Sequence, residues 1–353
     1  MDPRLDPPPG RAAFWAARLA RTLLPLRDDP PTAEEIRSVL VVRTDDRVGN
    51  VLLTVPLVRA LQRALPHARV DLLVAARRAA VIDGLPELHL VRFEKRAGPF
   101  AWVRFLGGLR ARYDVAVDAA HWHAFSLTSA LLTRWAARRW TVGPDRGPAP
   151  LLYGGIAPLP PPGTPEIRAK LLLGAPLALQ LTPAPLETSL GRGRSPVSGT
   201  FVALNPGARK HDHRWPPERF GAVARELTRT RGLRCVVFWG PGEEALARAV
   251  VASSGGGAEL APPTDLDALA ASLRRAALVV TNDTGPLHLA VACGAPVVAV
   301  FLDRDGLRWA HPGARFEAVI APPDERPVVA AAGRLLDRAE VAAQPPSSLE
   351  EPR

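Results

Sequence analysis

Short apolar runs rich in β-branched residues alternate with segments of helical length along this chain, and the alternation occurs twice. Ser38 to Arg43 is the first run, followed by a turn, Thr44 to Asn50. A helix comes next, with Leu52, Val55, Val58, Leu61 and Leu65 on one face. Pro56 inside it predicts a kink or a thinned turn, because proline lacks the N–H that a helix interior uses. The alternation continues as strand Val70 to Val74, helix from about Ala76, strand His89 to Phe93 and helix Phe100 to Arg112. Strand Val115 to Asp118, helix Ser126 to Arg138 and a closing strand at Trp140 to Val142 complete it. Strands and helices of these lengths dictate right-handed crossovers and a parallel sheet.

Residues 143–198 form a Pro- and Gly-rich crossing with one helical stretch, Pro165 to Leu173. The pattern then restarts. Strand Phe201 to Leu204 runs into Asn205-Pro206-Gly207, helix Pro217 to Arg231 follows, and strand Cys235 to Trp239 runs into Gly240-Pro241-Gly242. A helix from Glu243, a strand near Glu259 and the helix Asp265 to Arg275 lead to the most informative stretch, Leu278 to Phe301. The expectation is two doubly wound domains facing each other across a cleft between the carboxyl ends of both sheets. Their bounds read as a flank with an amphipathic helix over 1–36, a first domain over 37–190 and a second over 191–326. A helix and loose tail occupy 327–353.

Leu278 to Thr281 is a buried strand, and Asn282, Asp283, Thr284 and Gly285 form a turn able to cap a helix. Pro286 suits a first helical position, where its missing N–H is no loss. Gly294 permits a left-handed stop, Pro296 prevents continuation, and Val297 to Phe301 is another strand. A helix start beside Asp283, Thr284 and Gly285 offers free N–H groups to an anion, most often a phosphate. His288 falls in the first turn, on the ligand side of any anion held there. An ordinary capped helix with a surface histidine explains the same residues.

Composition narrows the function. The chain has 353 residues, 47% of them hydrophobic, and a net charge of +10. Of its 45 basic residues only Lys95, Lys170 and Lys210 are lysines, and the arginines are scattered. No basic run interleaved with aromatics occurs, so nucleic-acid binding is not expected, whereas phosphates, nucleotide sugars or an acidic membrane face suit the charge. Cys235 and Cys293 lie in apolar segments and read as buried thiols, with no disulfide framework or metal cluster. No apolar stretch is long enough to span a membrane. Residues 11–24 set Phe14, Trp15, Leu19 and Leu23 against Arg11, Arg18 and Arg21, too interrupted by arginine for a signal peptide. That helix suits a membrane surface, but docking against the protein body is favoured. The expected location is the cytoplasm, including peripheral contact at the inner face of the membrane.

Three blocks resemble glycosyltransferase family 9, the lipopolysaccharide heptosyltransferase family. The first is Val41 to Pro56, like the family's strand, Gly-Asp and Thr-x-Pro pattern. The second is Leu204-Asn205-Pro206-Gly207-Ala208 with Arg214-Trp215-Pro216 and Phe220, and the third is Asn282 to Ala290. The resemblance implies a GT-B fold, with a nucleotide-diphosphate-sugar donor (ADP-heptose is one candidate) on the second domain. It further implies a glycan or glycolipid acceptor on the first domain, inversion at the anomeric carbon and no catalytic metal or other cofactor.

Breaking a sugar–phosphate bond leaves charge on a nucleoside diphosphate, which fixed donors must stabilise. The donor-binding candidates are therefore Gly207, Asp283, Thr284, Gly285 and His288, with Lys210 and Arg214 supplying positive charge. Asp283 suits loop orientation or a donor hydroxyl, since a carboxylate repels phosphate. Glu243 or Glu244 suits ribose hydroxyls, and a solvated helix start suits them equally. Trp215 suits packing better than base stacking. The family's proposed base, the Asp of its Gly-Asp pair, is Asn50 here, and a neutral amide cannot accept a proton. Asp45, Asp46, Asp118, His121 and His123 are the alternatives, and Asp45 and Asp46 are favoured because they share the strand-to-helix loop. A turn pair capping the helix is the plain alternative for them. The family's Lys two residues before Trp is His213, which shifts phosphate contact to Lys210 or Arg214. The main alternative to an inverting transferase is a non-catalytic nucleotide-sugar-binding or assembly protein that has lost its base. A nucleotide-sugar epimerase is a more distant one.

Overall fold

Every apolar run of the first half enters one parallel sheet. The computed structural model describes residues 10–25, 29–209 and 211–343, so Lys210 and the loose tail beyond residue 343 lie outside the described residues. The chain divides into two units, Met1–Ser189 and Leu190–Arg353.

The first unit comprises α1 (Arg11–Leu23), β1 (Ser38–Arg43), α2 (Val48–Leu52), α3 (Val55–Ala64), β2 (Arg69–Ala75) and β3 (His89–Phe93). It continues through α4 (Pro99–Leu109), β4 (Tyr113–Asp118), α5 (Leu127–Ala136), β5 (Ala137–Pro144), α6 (Ala149–Leu152), β6 (Gly155–Ala157) and α7 (Glu166–Leu171). The strand order is β3-β2-β1-β4-β5-β6, with Val41 paired to Leu72 on one side and Val117 on the other. Central strands covered on both faces must be apolar at nearly every position, and β1, β2 and β4 are.

Several local expectations need correction. Pro56 does not kink one helix but divides it: α2 ends at Leu52, α3 begins at Val55, and Pro56 takes a first-turn position where no N–H is needed. The segment from Ala76 is a 3-10 turn ending at Val81, because Gly84, at φ 79°, reverses the chain too soon for an α-helix. Trp140 to Val142 does not close the sheet. β6 pairs beyond β5, where Gly154 and Gly155 leave room for the Trp140 ring, and a side chain at Gly154 would come within 2.9 Å of it. Three residues beginning with glycine carry no periodicity by which to anticipate such a strand. The α1 helix does dock, but through its small face. Ala17 and Ala20 pack with Ala130, Leu152 and Tyr153, while Trp15, Leu19 and Leu23 are 69%, 61% and 67% exposed.

The second unit comprises β7 (Phe201–Asn205), α8 (Pro217–Arg231), β8 (Arg234–Val237), α9 (Glu244–Ser253), β9 (Ala258–Leu260) and α10 (Leu266–Arg275). It ends with β10 (Leu278–Asn282), α11 (Gly285–Ala292), β11 (Val297–Phe301), β12 (Phe316–Ile320) and α12 (Arg326–Ala343). The order is β12-β11-β10-β7-β8-β9, again all parallel. Edge strand β12 was not expected from the sequence pattern. It is only partly buried, so its apolar run is short and broken by Glu317. One core joins Val202, Leu204, Phe220, Leu227, Val280, Val298 and Leu335 across the sheet and the α8 and α12 helices. Cys235 and Cys293 are buried free thiols pushed up to about 11 by burial, which keeps them unreactive.

In each sheet the chain starts at a middle strand, winds outward, and returns to wind the other way. The reversals fall between β1 and β4 and between β7 and β10, and loops diverging there leave a crevice at the strands' carboxyl ends.

Candidate functional site

In the second unit the crevice is bounded by the two asparagines that end β7 and β10. Asn205 Nδ2 donates to Thr281 Oγ1 at 3.2 Å, binding the strands side by side. Asn282, wholly buried, donates through Nδ2 to Pro206 O at 2.7 Å and accepts the Trp215 N–H at 3.2 Å. One amide thus fixes the Pro-Gly-Ala loop and the Arg-Trp-Pro loop to the end of β10. Glu243 supports the same loop from β8. Its carboxylate accepts the Gly240 N–H at 3.2 Å, lies 3.5 Å from Arg214 and packs against Gly207. A β-carbon at Gly207 would fall 2.2 Å from Glu243 Oε2, so any larger residue displaces that carboxylate. Arg214 Nε donates to Ala208 O at 2.7 Å. Gly207, Arg214 and Glu243 are therefore brought together. Glu244 is not: it sits on the outside of α9 in an ion pair with Arg248 at 2.6 Å. Trp215 is buried and edge-on to Phe220, and it packs the loop.

The α11 helix begins in this crevice. Thr284 is its N-cap in extended conformation but gives no side-chain cap, and Pro286 brings no N–H. Asp283 immediately precedes it. Burial, then the nearby Asp303 carboxylate, push its carboxyl up to about 7, with Arg308 pulling the other way. The site therefore carries a carboxyl that is partly neutral at physiological pH, which removes much of the repulsion a carboxylate there would offer a phosphate. His288 is not the surface histidine of the plainer reading: it is 5% exposed, and its Nδ1 lies 2.8 Å from His311 Nε2. Burial lowers His311 to about 4, so that imidazole is neutral and the pair shares one proton. His311, Asp303 and Arg308 had no sequence signal, lying in an irregular segment beyond the helix.

In the first unit the crevice between β1 and β4 holds a charged cluster. Arg43, at the end of β1, donates to Ala119 O at 2.6 Å through Nη1, and its Nη2 contacts both Asp45 and His121 Nε2. His121 Nδ1 lies 2.5 Å from Glu166 Oε1, and Lys170 Nζ lies 3.0 Å from the same carboxylate and donates to Ala119 O at 2.7 Å. A guanidinium can only donate, so His121 Nε2 accepts and its proton sits on Nδ1, toward Glu166. Burial and the adjacent Arg43 accordingly push His121 down to about 3. Burial opposes ionisation of Glu166, but its basic neighbours hold it well below the usual range. Burial brings Lys170 down to about 8 against the pull of Glu166.

Asp45 reaches the edge of this cluster, and it and Asp46 have different surroundings. Asp45 accepts from Asn50 Nδ2 at 2.6 Å and from the Arg47 N–H at 3.0 Å. Burial raises its pKa, but Arg43, His121, Arg47 and Asn50 together lower it. Asp46 instead pairs with Arg77 and Arg78 on the surface side. Asp118 is wholly buried and accepts from Tyr153 (2.6 Å), Ser129 (2.7 Å) and the Ala120 N–H (2.9 Å), so it is structural. His123 stacks on His121 with centroids 4.7 Å apart. His121, His123 and Glu166 present ligand atoms within 4.8 Å of one another, yet the Lys170 ammonium and the Arg43 guanidinium already occupy the charges a cation would seek. Arg43, Glu166 and Lys170 had not been singled out from sequence. The one available signal was Lys170 itself, one of three lysines in a chain that mostly uses arginine.

Two parallel six-stranded α/β units, each with a crevice at its strand-order reversal, have the GT-B architecture of heptosyltransferase structures. The model of Glycosyltransferase family 9 (heptosyltransferase) matches residues 170–330. Lipopolysaccharide heptosyltransferase 3 of Escherichia coli (strain K12) is 25% identical over 285 residues, 74% of this chain and 81% of the relative. The structure of E. coli heptosyltransferase WaaC with ADP superposes with a TM-score of 0.66 at 23% identity, covering 86% of this chain and 99% of that one. A family 9 glycosyltransferase from Veillonella parvula gives 0.67 at 18% identity, covering 86% and 97%. Over residues 170–330 the chain is similar to glycosyltransferase family 9, and these similarities to heptosyltransferases support a glycosyltransferase. Among the described residues no helix is long and apolar enough to cross a membrane.

Proposed function

We propose that this glycosyltransferase moves a heptose, or a similar hexose-like sugar, from a nucleotide-diphosphate donor to a growing lipopolysaccharide or other lipid-linked glycan. The donor is held by the second unit, and ADP-heptose is the donor of first choice. The observation that carries this reading is the Asn282 brace, which fixes the Gly207 and Trp215 loops around the uncapped start of α11. The Gly285 N–H, Arg214 and the His288–His311 pair then stabilise the diphosphate as the anomeric C–O bond breaks. The acceptor oxygen forms the new bond on the opposite face of the sugar and inverts it, with the proton leaving to a carboxylate. WaaC has been solved with ADP and with ADP-2-deoxy-2-fluoro heptose, which supports the choice of nucleotide.

Asp45 is the proposed base. Asn50 does not accept the proton but donates to Asp45 at 2.6 Å, holding the carboxylate that replaces it. Asp46, already paired with two arginines, takes a supporting role in the loop. No metal is required, since fixed cations and backbone N–H groups carry the charge. The reaction takes place in the cytoplasm, at the inner face of the membrane where a lipid-linked acceptor is presented.

Incubation with ADP-heptose and extracted acceptor glycan, followed by assay of ADP release, tests the reading. Acceptor-dependent release, reduced about 100-fold or more by Asp45→Asn, is expected for a general base. ADP-heptose that binds but is never turned over with any acceptor would instead favour a non-catalytic binding protein.

A further inference from the structure

The structure points to a second surface, formed by α1 and the helices beneath it, whose occupant is an anionic lipid bilayer. Two observations meet there. First, α1 is docked by the wrong face for a helix whose only task is to cover a core. Its small residues Ala17 and Ala20 are buried, while Trp15, Leu19 and Leu23, four residues apart, form a continuous exposed stripe with Phe14 at its side. Exposed Arg11 and Arg18 border the stripe, and the Arg18 guanidinium lies over the Trp15 ring at 5.7 Å. Second, the ground beneath carries positive charge that no carboxylate pairs among the described residues. Arg134 of α5 is 4% exposed, with its Nε and Nη2 unpartnered, and burial, then the positive charge of Arg21, disfavour its charged form. Arg21 itself spends a donor on Pro150 O at 3.1 Å. Among the described residues no carboxylate pairs with Arg11, Arg18, Arg21 or Arg134.

A buried, unpaired guanidinium is costly unless an anion completes it. A large apolar stripe rimmed by arginines is the pattern of a helix lying in the plane of a membrane surface. An anionic phospholipid supplies both complements, acyl chains for the stripe and phosphate for the arginines. A second apolar pair, Phe100 and Val103 of α4, is 79% and 69% exposed. The right-handed crossover rule places α4, α5 and α6 on one side of the sheet, and α1 packs on α5 and α6, so both patches belong to the same layer. A protein partner would be expected to supply carboxylates set opposite particular arginines, whereas a fluid anionic surface needs only density of charge. We propose that this layer docks the full chain on anionic membrane. The role rests on the glycosyltransferase reading only in placing the enzyme beside a lipid-linked acceptor.

Co-sedimentation of the full chain with phosphatidylcholine vesicles, with and without phosphatidylglycerol, tests it. Binding to the anionic vesicles alone, weakened by added salt, is expected. The variant Trp15→Glu/Leu19→Glu is expected to lose about tenfold or more in partitioning, and Arg134→Gln a smaller amount. Neither substitution touches the donor site, so the ADP-induced thermal shift stays as in the unaltered protein. An intact ADP shift with vesicle binding unchanged by the double substitution overturns the lipid proposal alone. Absence of any ADP shift with vesicle binding retained counts against the donor assignment alone. Concentration-dependent self-association that the double substitution abolishes, without vesicle binding, would assign the stripe to a second copy of the chain and overturn the proposal. No vesicle binding and no self-association overturns it too.

Discussion

Asp283 carries a testable electrostatic signature. Its carboxyl is raised from the ordinary 3.8 to about 7, so the folded state keeps a proton that the unfolded chain has already released between those values. Stability therefore falls as pH rises from about 4 to about 7, and the penalty is complete above that. Asp283→Asn removes a buried charge at high pH and nothing at low pH. It should stabilise the protein by about 1–2 kcal/mol at pH 8 and by far less at pH 5 in urea titrations. A gain of equal size at both values would show that Asp283 is ionised throughout. A bound nucleoside diphosphate adds negative charge beside it, so ADP should bind more weakly as pH rises through 7, with proton uptake measurable by calorimetry in buffers of different ionisation enthalpy. Glu166 gives a complementary test. Glu166→Gln leaves Lys170 without its counter-charge, Arg43 keeping Asp45, and should cost about 3–5 kcal/mol of stability, as for other broken buried pairs.

Elements show where sequence patterning succeeds and where it stops. The strand–turn–helix–strand unit from Leu278 was legible because four local signals agree: β-branched run, turn residues, Pro at a first-turn position and Gly at the stop, where φ is 77°. The small strands β6 and β12 were not, since one begins with glycine in a Pro-rich stretch and the other is half-exposed and interrupted by Glu317. The docking face of α1 was hidden for a different reason. Periodicity identifies an apolar stripe but not which face meets the protein, and here alanines do. At the donor site, Gly207 and Asp283 stood out by motif, whereas the His311 contact depends on a chain reversal that no spacing encodes. The Gly207 loop makes its own prediction. Gly207→Ala forces Glu243 away, since the new carbon would sit 2.2 Å from it, and ADP affinity should drop about tenfold by titration calorimetry while the fold persists. An unaltered affinity would mean that this loop does not approach the nucleotide.

Across the whole molecule, the two units have separate sheets and separate cores. Ligand that binds only one of them stabilises that one by mass action. Calorimetry with ADP should raise the transition belonging to residues 190–343, by about 2–3 kcal/mol at a hundredfold excess over Kd. A fragment beginning at Leu190 that shows no ADP shift would argue against donor binding confined to this unit. Within the first unit, Arg43 at the end of β1 meets Ala119 after β4 and, through His121, the Glu166 and Lys170 of α7. The cluster thus links Arg43 and its counter-ion Asp45, through His121, to residues more than a hundred positions further along. During synthesis, β1 and Asp45 leave the ribosome long before Glu166 and Lys170 exist. The buried cluster around Arg43 therefore stays incomplete until α7 has been made, and its completion waits on translation through residue 170.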